Sequence, residues 1–276
     1  MEHREGTFQG TGTLELFYQC WRPENTPRAV LAIVHGFGEH SGRYMNVVNH
    51  FVPRGYAVYG FDHRGHGRSP GKRGDIAAWS DFREDVRAFV QRVAAQEPNR
   101  PLFMLGHSLG GLIALEYVLH YPDGLRGVVI SSPLLVQAGL SPMVILLAKV
   151  LAHVAPSAAI KVGLDATMIS RDPAVVKAYQ EDPLVHGFGT PRLGDAITAA
   201  QEWAHAHAGE WQAPLLMIIG SADKIAPPEG GRKFYARVTF ADKQMLDYPG
   251  AYHETHNDVI YQQVMADVER WLSAHQ

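Results

Sequence analysis

The sequence has almost no cysteine and no long apolar run, and each absence narrows the class of protein. Cys20 is the only cysteine among 276 residues, which excludes an intrachain disulfide and a thiolate-ligated metal site. The longest nearly apolar stretch, MVILLAKVLAHVA, is shorter than the roughly 20 residues that span a bilayer, and it contains Lys149 and His153. The N-terminal residues lack the apolar run of roughly 7 to 15 residues that a secretory signal needs. We therefore expect a cytoplasmic protein that does not cross a membrane.

An excess of charge of one sign is also missing. The net charge is −3 and the pI is about 6.6, and lysine and arginine are spread along the chain instead of gathered in a stripe. Nucleic acid is therefore not an expected partner. The chain is long enough to bury a sizeable core and to hold an insertion, so its length fits one domain or two.

Short apolar runs alternate with longer helical patterns along much of the chain. The runs are apolar on both faces, which is typical of parallel strands covered by helices on each side. They lie at residues 29–36, 56–62, 101–107, 126–132, 214–220 and 244–250, with helical patterns at about 44–54, 80–97, 110–120, 228–237 and 257–274. A more alternating run at 13–21 indicates an antiparallel edge strand. The predicted fold class is α/β, with a mostly parallel, doubly wound sheet and helices on both faces.

The alternation stops at Pro133 and resumes near Ala213, and a gap of this length should hold structure of its own. Further helices are expected at 173–180 and 193–208. We predict a core at residues 1–132 and 211–276 with a helical cap inserted at 133–210. Its first helix is indicated by a stripe at helical spacing, made of Met143, Leu146, Leu147, Val150, Leu151 and Val154.

Two copies of the pattern Gly-x-Ser-x-Gly occur, centred on Ser69 and Ser108, and their surroundings distinguish them. Ser108 directly follows an apolar strand and opens a helix whose leucines at 112, 115 and 119 share a face, which is the context of a nucleophile elbow. Ser69 lies several residues beyond its strand, in the polar loop DHRGHGRSPGKRGD. We therefore predict that Ser108 is a nucleophile, against the alternative of an ordinary strand-to-helix turn.

A serine nucleophile needs a base, and the base needs an acid that orients it. In a sheet of this kind both follow the serine along the chain, at the ends of later strands. Asp223 comes just beyond one buried strand and His253 just beyond the next, so they are the predicted acid and base. His256, expected in the first turn of the last helix, is the rival base. Asp242 and Asp247 are weaker candidates for the acid because they lie before and within a strand.

An oxyanion needs two backbone N–H donors near the nucleophile. Leu109 follows Ser108 directly, and Phe37 lies between two glycines in the loop after an early strand, so these two residues are the predicted donors. No metal or cofactor is expected. His205 and His207, the nearest approach to a metal-ligand pair, are two residues apart and face different sides of a helix.

With these residues identified, the chain resembles the α/β-hydrolase fold and, within it, the monoacylglycerol lipase and lysophospholipase family. The resemblance covers nearly the whole chain and is carried by HGFGEHSGRY, DHRGHGRSPG, GHSLGG, ISRDPAVVKAYQEDPLVHG, GSADKIAPPEGG and YPGAYHETHND. It implies that Ser108 is the nucleophile, Asp223 the acid and His253, instead of His256, the base, with Phe37 and Leu109 as the oxyanion donors.

The same resemblance implies a polar cluster of Glu39, Arg43 and His256 near the site, which fixes loops or binds the alcohol end of the substrate. The alternative is an exposed pair of Glu39 and Arg43 one helical turn apart, worth a few tenths of a kcal/mol. One departure stands out: animal members carry a cysteine shortly after the acid, where this chain has Ala226. Inhibition directed at that thiol is therefore not expected here.

The resemblance implies hydrolysis of the ester bond of monoacylglycerols, with the lipid ester as the partner molecule. The apolar stripe of the cap is expected to line an acyl tunnel, to touch a membrane peripherally, or only to pack the cap on the core. A lysophospholipase or broad carboxylesterase would use the same residues. A peptidase, a carbon–carbon bond hydrolase and a ligand sensor that turns over slowly are further candidate functions. The acyl-chain preference and the oligomeric state stay open.

Overall fold

A computed structural model describes residues 1–136 and 150–276, and its main feature is a large, mostly parallel sheet. Within the described residues eight strands form this sheet in the order β1-β2-β4-β3-β5-β6-β9-β10. They are β1 Glu2–Gln9, β2 Glu15–Arg22, β3 Ala29–Val34, β4 Tyr56–Phe61, β5 Leu102–His107, β6 Gly127–Ser131, β9 Leu215–Gly220 and β10 Lys243–Tyr248. Strands β3 to β10 of this sheet run parallel, as predicted.

The predicted antiparallel strand near 13–21 is present as β2, but its expected position at the edge of the sheet is wrong. The outer strand is β1, which pairs with β2 from Glu2 opposite Arg22 to Gln9 opposite Glu15. The sequence of β1, EHREGTFQ, is polar and most of its side chains are exposed. Backbone hydrogen bonds therefore hold this strand with little apolar burial, which is why the hydrophobic pattern missed it.

Helices cover both faces of the sheet, as a doubly wound fold requires. One face packs against α1 and α7 through a core that includes Val48, Phe51, Val264 and Val268. The other face packs mainly against α2, α3 and α6. The helices outside the inserted segment are α1 Met45–Phe51, α2 Trp79–Gln96, α3 Leu109–His120, α6 Pro228–Arg237 and α7 Tyr261–Ala274.

The last helix begins later than the pattern predicted. It starts at Tyr261 instead of Asn257, and residues 254–258 form turns in which Asn257 N–H donates to the carbonyl of Glu254. The buried carboxylate of Asp258 accepts hydrogen bonds from the backbone and side chain of Arg171, which holds this segment away from helical geometry. His256 therefore lies in a turn before α7 and not in its first helical turn.

The segment between β6 and β9 contains the two helices expected there, α4 Pro173–Glu181 and α5 Pro191–His207. A short antiparallel ribbon, β7 Ile160–Lys161 with β8 Phe188–Gly189, was not predicted. The buried face of α5, which includes Leu193 and Ile197, joins the same core as α2 and α3. The end of the inserted segment is therefore packed into the main body.

Half of the predicted apolar stripe of the insertion, Met143, Leu146 and Leu147, lies outside the described residues. Residues 150–154 are helical, and the side chains of Val150 and Val154 are exposed. Across residues 1–136 and 150–276, no helix has both the length and the apolar character that crossing a bilayer requires.

Candidate active site

The turn between β5 and α3 holds Ser108 in a conformation that few non-glycine residues adopt. Its φ is 54° and its ψ is −120°. Backbone hydrogen bonds fix this geometry, because Ser108 N–H donates to the carbonyl of Ser131 and the carbonyl of Ser108 accepts from Leu112 and Leu134. A strained backbone that neighbouring elements hold in place is a frequent property of functional residues.

The two glycines of the Ser108 motif are required by close backbone contacts. A Cβ atom on Gly110 would collide with the carbonyl oxygen of Val34, and one on Gly106 would lie 2.7 Å from the Cβ of Ala114. The first contact shows that the start of α3 touches the end of β3, where the loop containing Phe37 begins. The glycines therefore bring Ser108 and that loop together.

Asp223 and His253 form a buried hydrogen-bonded pair at the ends of β9 and β10. The distance from His253 Nδ1 to Asp223 Oδ2 is 2.7 Å, and Asp223 Oδ1 accepts the backbone N–H groups of Ile225 and Ala226. Burial alone would lower the pKa of His253, but the charge and the hydrogen bond of Asp223 raise it above its ordinary value. Asp223 thus holds the imidazole with Nδ1 occupied, which leaves Nε2 for proton transfer.

Ser108 and His253 line one pocket, part of which is open to solvent. Its wall combines the loop after β3, the elbow, the loop after β10 and parts of the inserted segment. The lining residues are Gly36, Phe37, Glu39, Arg43, His107, Ser108, Leu164, Ile169, Tyr179, His253 and Glu254.

The two residues predicted as oxyanion donors lie on either side of Ser108. Leu109 is the first residue of α3, and an N–H group at that position has no intrahelical acceptor. Phe37 is in the loop after β3, beside Gly36, whose Cβ position would lie 3.2 Å from the Cβ of Ser108. The inserted segment supports this loop, because His186 N–H donates to the carbonyl of Gly38 over 2.8 Å.

Arg43 and Glu39 form a buried ion pair instead of an exposed one. Arg43 Nη1 donates to Glu39 Oε2 over 2.7 Å, and the guanidinium also forms a bidentate pair with Glu254 over 2.7 and 2.8 Å. Glu39 Oε1 accepts the N–H of Gly36 and the hydroxyl of Tyr44. These contacts join the loop of the predicted oxyanion donor to the loop that carries His253.

His256 is close to this cluster but is not paired with an acid. Its ring stacks on Tyr44, with centroids 4.8 Å apart, and contacts the edge of His107. Burial lowers the pKa of His256 to about 4, so the ring is neutral near pH 7. Among residues 1–136 and 150–276, neither ring nitrogen has a hydrogen-bond partner. Of the two candidate bases, His253 is the one whose ring nitrogen contacts a carboxylate.

The alternative nucleophile, Ser69, has a structural role. Its Oγ donates to the carbonyl of Asp62 and accepts the N–H of Phe17, so both functions of the hydroxyl are used within the fold. His205 and His207 each contact a backbone carbonyl, of Leu135 and Trp203. In the described part of the chain, no group of three or more metal-ligating side chains could hold a metal ion.

Six of the pocket residues were not among the predicted site residues, and two of these six, Glu254 and Tyr179, contact Arg43. Glu254 follows the predicted base directly, but its partner Arg43 is 211 residues away along the chain, so spacing gave no signal. Tyr179, on α4, places its ring over the guanidinium of Arg43, 4.6 Å from carbon to centroid. It lies within the stretch ISRDPAVVKAYQEDPLVHG, where an aromatic residue could equally have been part of a helix core.

Comparison with known proteins agrees with this fold. The model of the family described as serine aminopeptidase, S33, matches residues 25–259. A monoacylglycerol lipase of Mycolicibacterium smegmatis is 39% identical over 273 residues, which cover 98% of this chain and 97% of that protein.

Two solved structures of lipases are also similar. The monoacylglycerol lipase of Paleococcus ferrophilus aligns with a TM-score of 0.85 and 36% identity, covering 100% of both chains. A soluble variant of the Saccharomyces cerevisiae monoglyceride lipase, solved with a substrate analog, aligns with a TM-score of 0.86 and 26% identity, covering 98% of this chain and 94% of that one. The chain therefore has the α/β-hydrolase fold and belongs, within the serine aminopeptidase S33 family, to the monoacylglycerol lipases.

Proposed function

We propose that the protein hydrolyses monoacylglycerols to a fatty acid and glycerol, with Ser108 as nucleophile, His253 as base and Asp223 as orienting acid. The observation that carries this proposal is the pocket in which a strained serine lies with a histidine paired to a buried carboxylate. The similarity to monoacylglycerol lipases over nearly the whole chain supports the substrate class.

In the proposed reaction, Nε2 of His253 accepts the proton of Ser108 as the serine oxygen attacks the ester carbonyl. The negative charge of Asp223 stabilises the imidazolium that forms, and the N–H groups of Phe37 and Leu109 stabilise the oxyanion. His253 then returns the proton to the glycerol oxygen, glycerol leaves, and the acyl group remains on Ser108. Water attacks the acyl-enzyme with the same proton transfers, which releases the fatty acid and restores the serine.

We propose that Glu39 and Arg43 fix the loops of the site instead of binding the alcohol directly. The three hydrogen bonds from Arg43 to Glu39 and Glu254 occupy both terminal nitrogens of the guanidinium, and the ring of Tyr179 covers one face. His256 also keeps hydrogen-bonding capacity, because its ring nitrogens find no partner in the described residues.

We further propose that residues 133–210 act as a cap that covers the pocket and rests on a lipid surface. Leu164, Ile169 and Tyr179 from this segment line the pocket. Large apolar side chains of the same segment are exposed, and a water-insoluble substrate would reach the pocket most directly from a lipid surface that they contact. These side chains are Val150, Val154, Ile160, Val162 and Phe188.

The proposed activity can be tested with purified protein and a panel of esters. We expect turnover of 1- or 2-monoacylglycerols to exceed that of lysophosphatidylcholine, triacylglycerol and amino-acid p-nitroanilides. Ser108→Ala should abolish turnover. Ser69→Ala, the same substitution at the other Gly-x-Ser-x-Gly copy, should keep turnover when the variant is folded. Activity that survives in Ser108→Ala would refute the mechanism. Faster hydrolysis of lysophosphatidylcholine would refute the substrate class, and turnover slower than about once a minute on every ester would favour a sensor.

The cap proposal has its own experiment. Phe188→Asp and Val154→Asp should reduce co-sedimentation with neutral lipid vesicles while hydrolysis of a short, water-soluble ester is kept. Equal sedimentation of the variants and the wild type would contradict the proposed lipid contact.

A further inference from the structure

The charges that line the pocket are unusual for a site whose substrates could include phospholipids. Apart from His253, which is paired with Asp223, the described lining residues that carry a charge are Glu39, Arg43 and Glu254, and these three side chains are less than a tenth exposed. Two carboxylates thus face one guanidinium at the wall of the pocket. The net charge of these three groups affects which alcohol leaving groups the pocket accepts.

The protonation of the two carboxylates follows from their contacts. Burial opposes the charge of Glu254, but Arg43 lowers the pKa of this carboxyl to about 2, so it is ionised near pH 7. Burial and the neighbouring Glu254 raise the pKa of Glu39. The groups on its two oxygens are nevertheless all donors, from Gly36, Arg43 and Tyr44, which is the pattern of an ionised carboxylate.

The guanidinium of Arg43 is already bound by two carboxylates of the protein. A phosphate is usually bound by arginine through two parallel N–H bonds. Here the two terminal nitrogens already form such a pair with Glu254, and the ring of Tyr179 lies over the guanidinium. The trio of Glu39, Arg43 and Glu254 therefore presents a net negative charge to the pocket.

We propose that Glu254, together with Glu39, makes this pocket reject esters whose alcohol carries a phosphate, so that the enzyme selects uncharged or cationic alcohols such as glycerol. The proposal rests on the proposed function, because it concerns the alcohol half of the same ester. Lining a pocket with charges of the same sign as a competing substrate is a direct way to exclude that substrate. The specificity would then come from repulsion as well as from contacts with glycerol.

The decisive measurement is a ratio of kcat/KM for two water-soluble esters with the same short acyl chain, a 1-acylglycerol and the corresponding 1-acylglycerol 3-phosphate. In Glu254→Gln the shape of the residue is kept and one negative charge is lost. We expect the ratio of phosphate ester to neutral ester to rise by about tenfold, the order expected for one charge acting across a few ångströms at the edge of a protein. Glu202→Gln, exposed on α5, removes the same charge far from the pocket and should leave the ratio unchanged.

Each outcome separates the two proposals. If the wild type does not hydrolyse the 1-acylglycerol, the proposed function is refuted. If it does and the ratio stays the same or falls in Glu254→Gln, only the charge-based selection is refuted.

Inhibition of the wild type gives an answer that does not depend on the folding of a variant. At constant ionic strength, 3-amino-1,2-propanediol in its protonated form should inhibit most strongly, glycerol less and glycerol 3-phosphate least. Stronger inhibition by glycerol 3-phosphate than by glycerol would overturn the proposal.

Discussion

Replacing Arg43 with methionine removes the guanidinium that two buried carboxylates share. The resulting loss in the free energy of unfolding can be worked out from the contacts. The pKa of Glu254 falls from an ordinary value of 4.5 to about 2, although burial acts in the opposite direction. This difference corresponds to roughly 3 kcal/mol of stabilisation near pH 7. Breaking a buried pair also leaves a charge without a partner, and such losses are about 3 to 5 kcal/mol. We therefore expect Arg43→Met to lose about 3 kcal/mol or more of the free energy of unfolding.

The pH dependence of this loss has a definite sign. In the wild type the pKa of Glu254 is lower when the protein is folded, so its stabilisation is present above pH 4.5 and disappears as the pH falls towards 2. In Arg43→Met the main group that opposes burial is gone, so we expect the folded pKa of Glu254 to rise. The unpaired carboxylate is then protonated more easily at pH 5 than at pH 7.5, so the difference from the wild type should be smaller at pH 5.

Urea unfolding followed by tryptophan fluorescence at pH 7.5 and pH 5 measures both quantities. Arg270→Met is the matched control, because Arg270 is 76% exposed and its ion pair with Asp267 is worth at most about 1 kcal/mol. The double variant Arg43→Met/Glu254→Gln should recover part of the loss. A change within 1 kcal/mol of the wild type at pH 7.5, or a loss that grows at pH 5, would refute the account of the ion pair.

Three further predictions concern the elbow and the base. Asp223→Asn should lower kcat by on the order of 10⁴ with an unchanged circular dichroism spectrum, because the amide cannot hold His253 with the proton on Nδ1; a loss below tenfold would contradict that role. The acidic limb of kcat/KM against pH should have its midpoint above 6.5, since Asp223 raises the pKa of His253, and a midpoint below 6.5 would argue against His253 as the base. Gly110→Ala should lower the melting temperature and the activity, because the added Cβ would meet the carbonyl of Val34. Gly194→Ala, in a helix with open space around it, should instead stabilise the protein by about 1 kcal/mol. Equal effects of the two substitutions would exclude the packing argument.

The parallel part of the sheet could be predicted because each of its central strands is apolar on both faces. Strand β1 could not, since Phe8 is its one buried side chain and the rest of its sequence is too polar to show a pattern. The two-residue strands β7 and β8 are too short to carry a pattern at all. A hydrophobic pattern therefore predicts the strands that are held mainly by burial. It misses those that are held mainly by backbone hydrogen bonds.

Within the site, the sequence located the residues that local context singles out. Ser108 follows β5 directly, and Asp223 and His253 lie in the loops after β9 and β10, so chain order and strand ends were sufficient to name them as candidates. Glu254 depends on a partner 211 residues away, and its importance appears only when the loops after β3 and β10 are brought together. The identity of a charge can be read from the sequence, but its burial and pairing cannot.

The hydrogen bond from His186 to Gly38 joins the inserted segment to the loop that carries Phe37, and this has an evolutionary consequence. A segment that only covered the pocket could be exchanged between relatives to alter the choice of acyl chain while leaving the rate of acyl transfer alone. Here a backbone group of the insertion supports the loop of a predicted oxyanion donor, so exchange would change both properties at once. Diversification of such enzymes should then proceed by substitutions that keep this contact, and grafted insertions should need compensating changes in the loop after β3 before they reach full turnover.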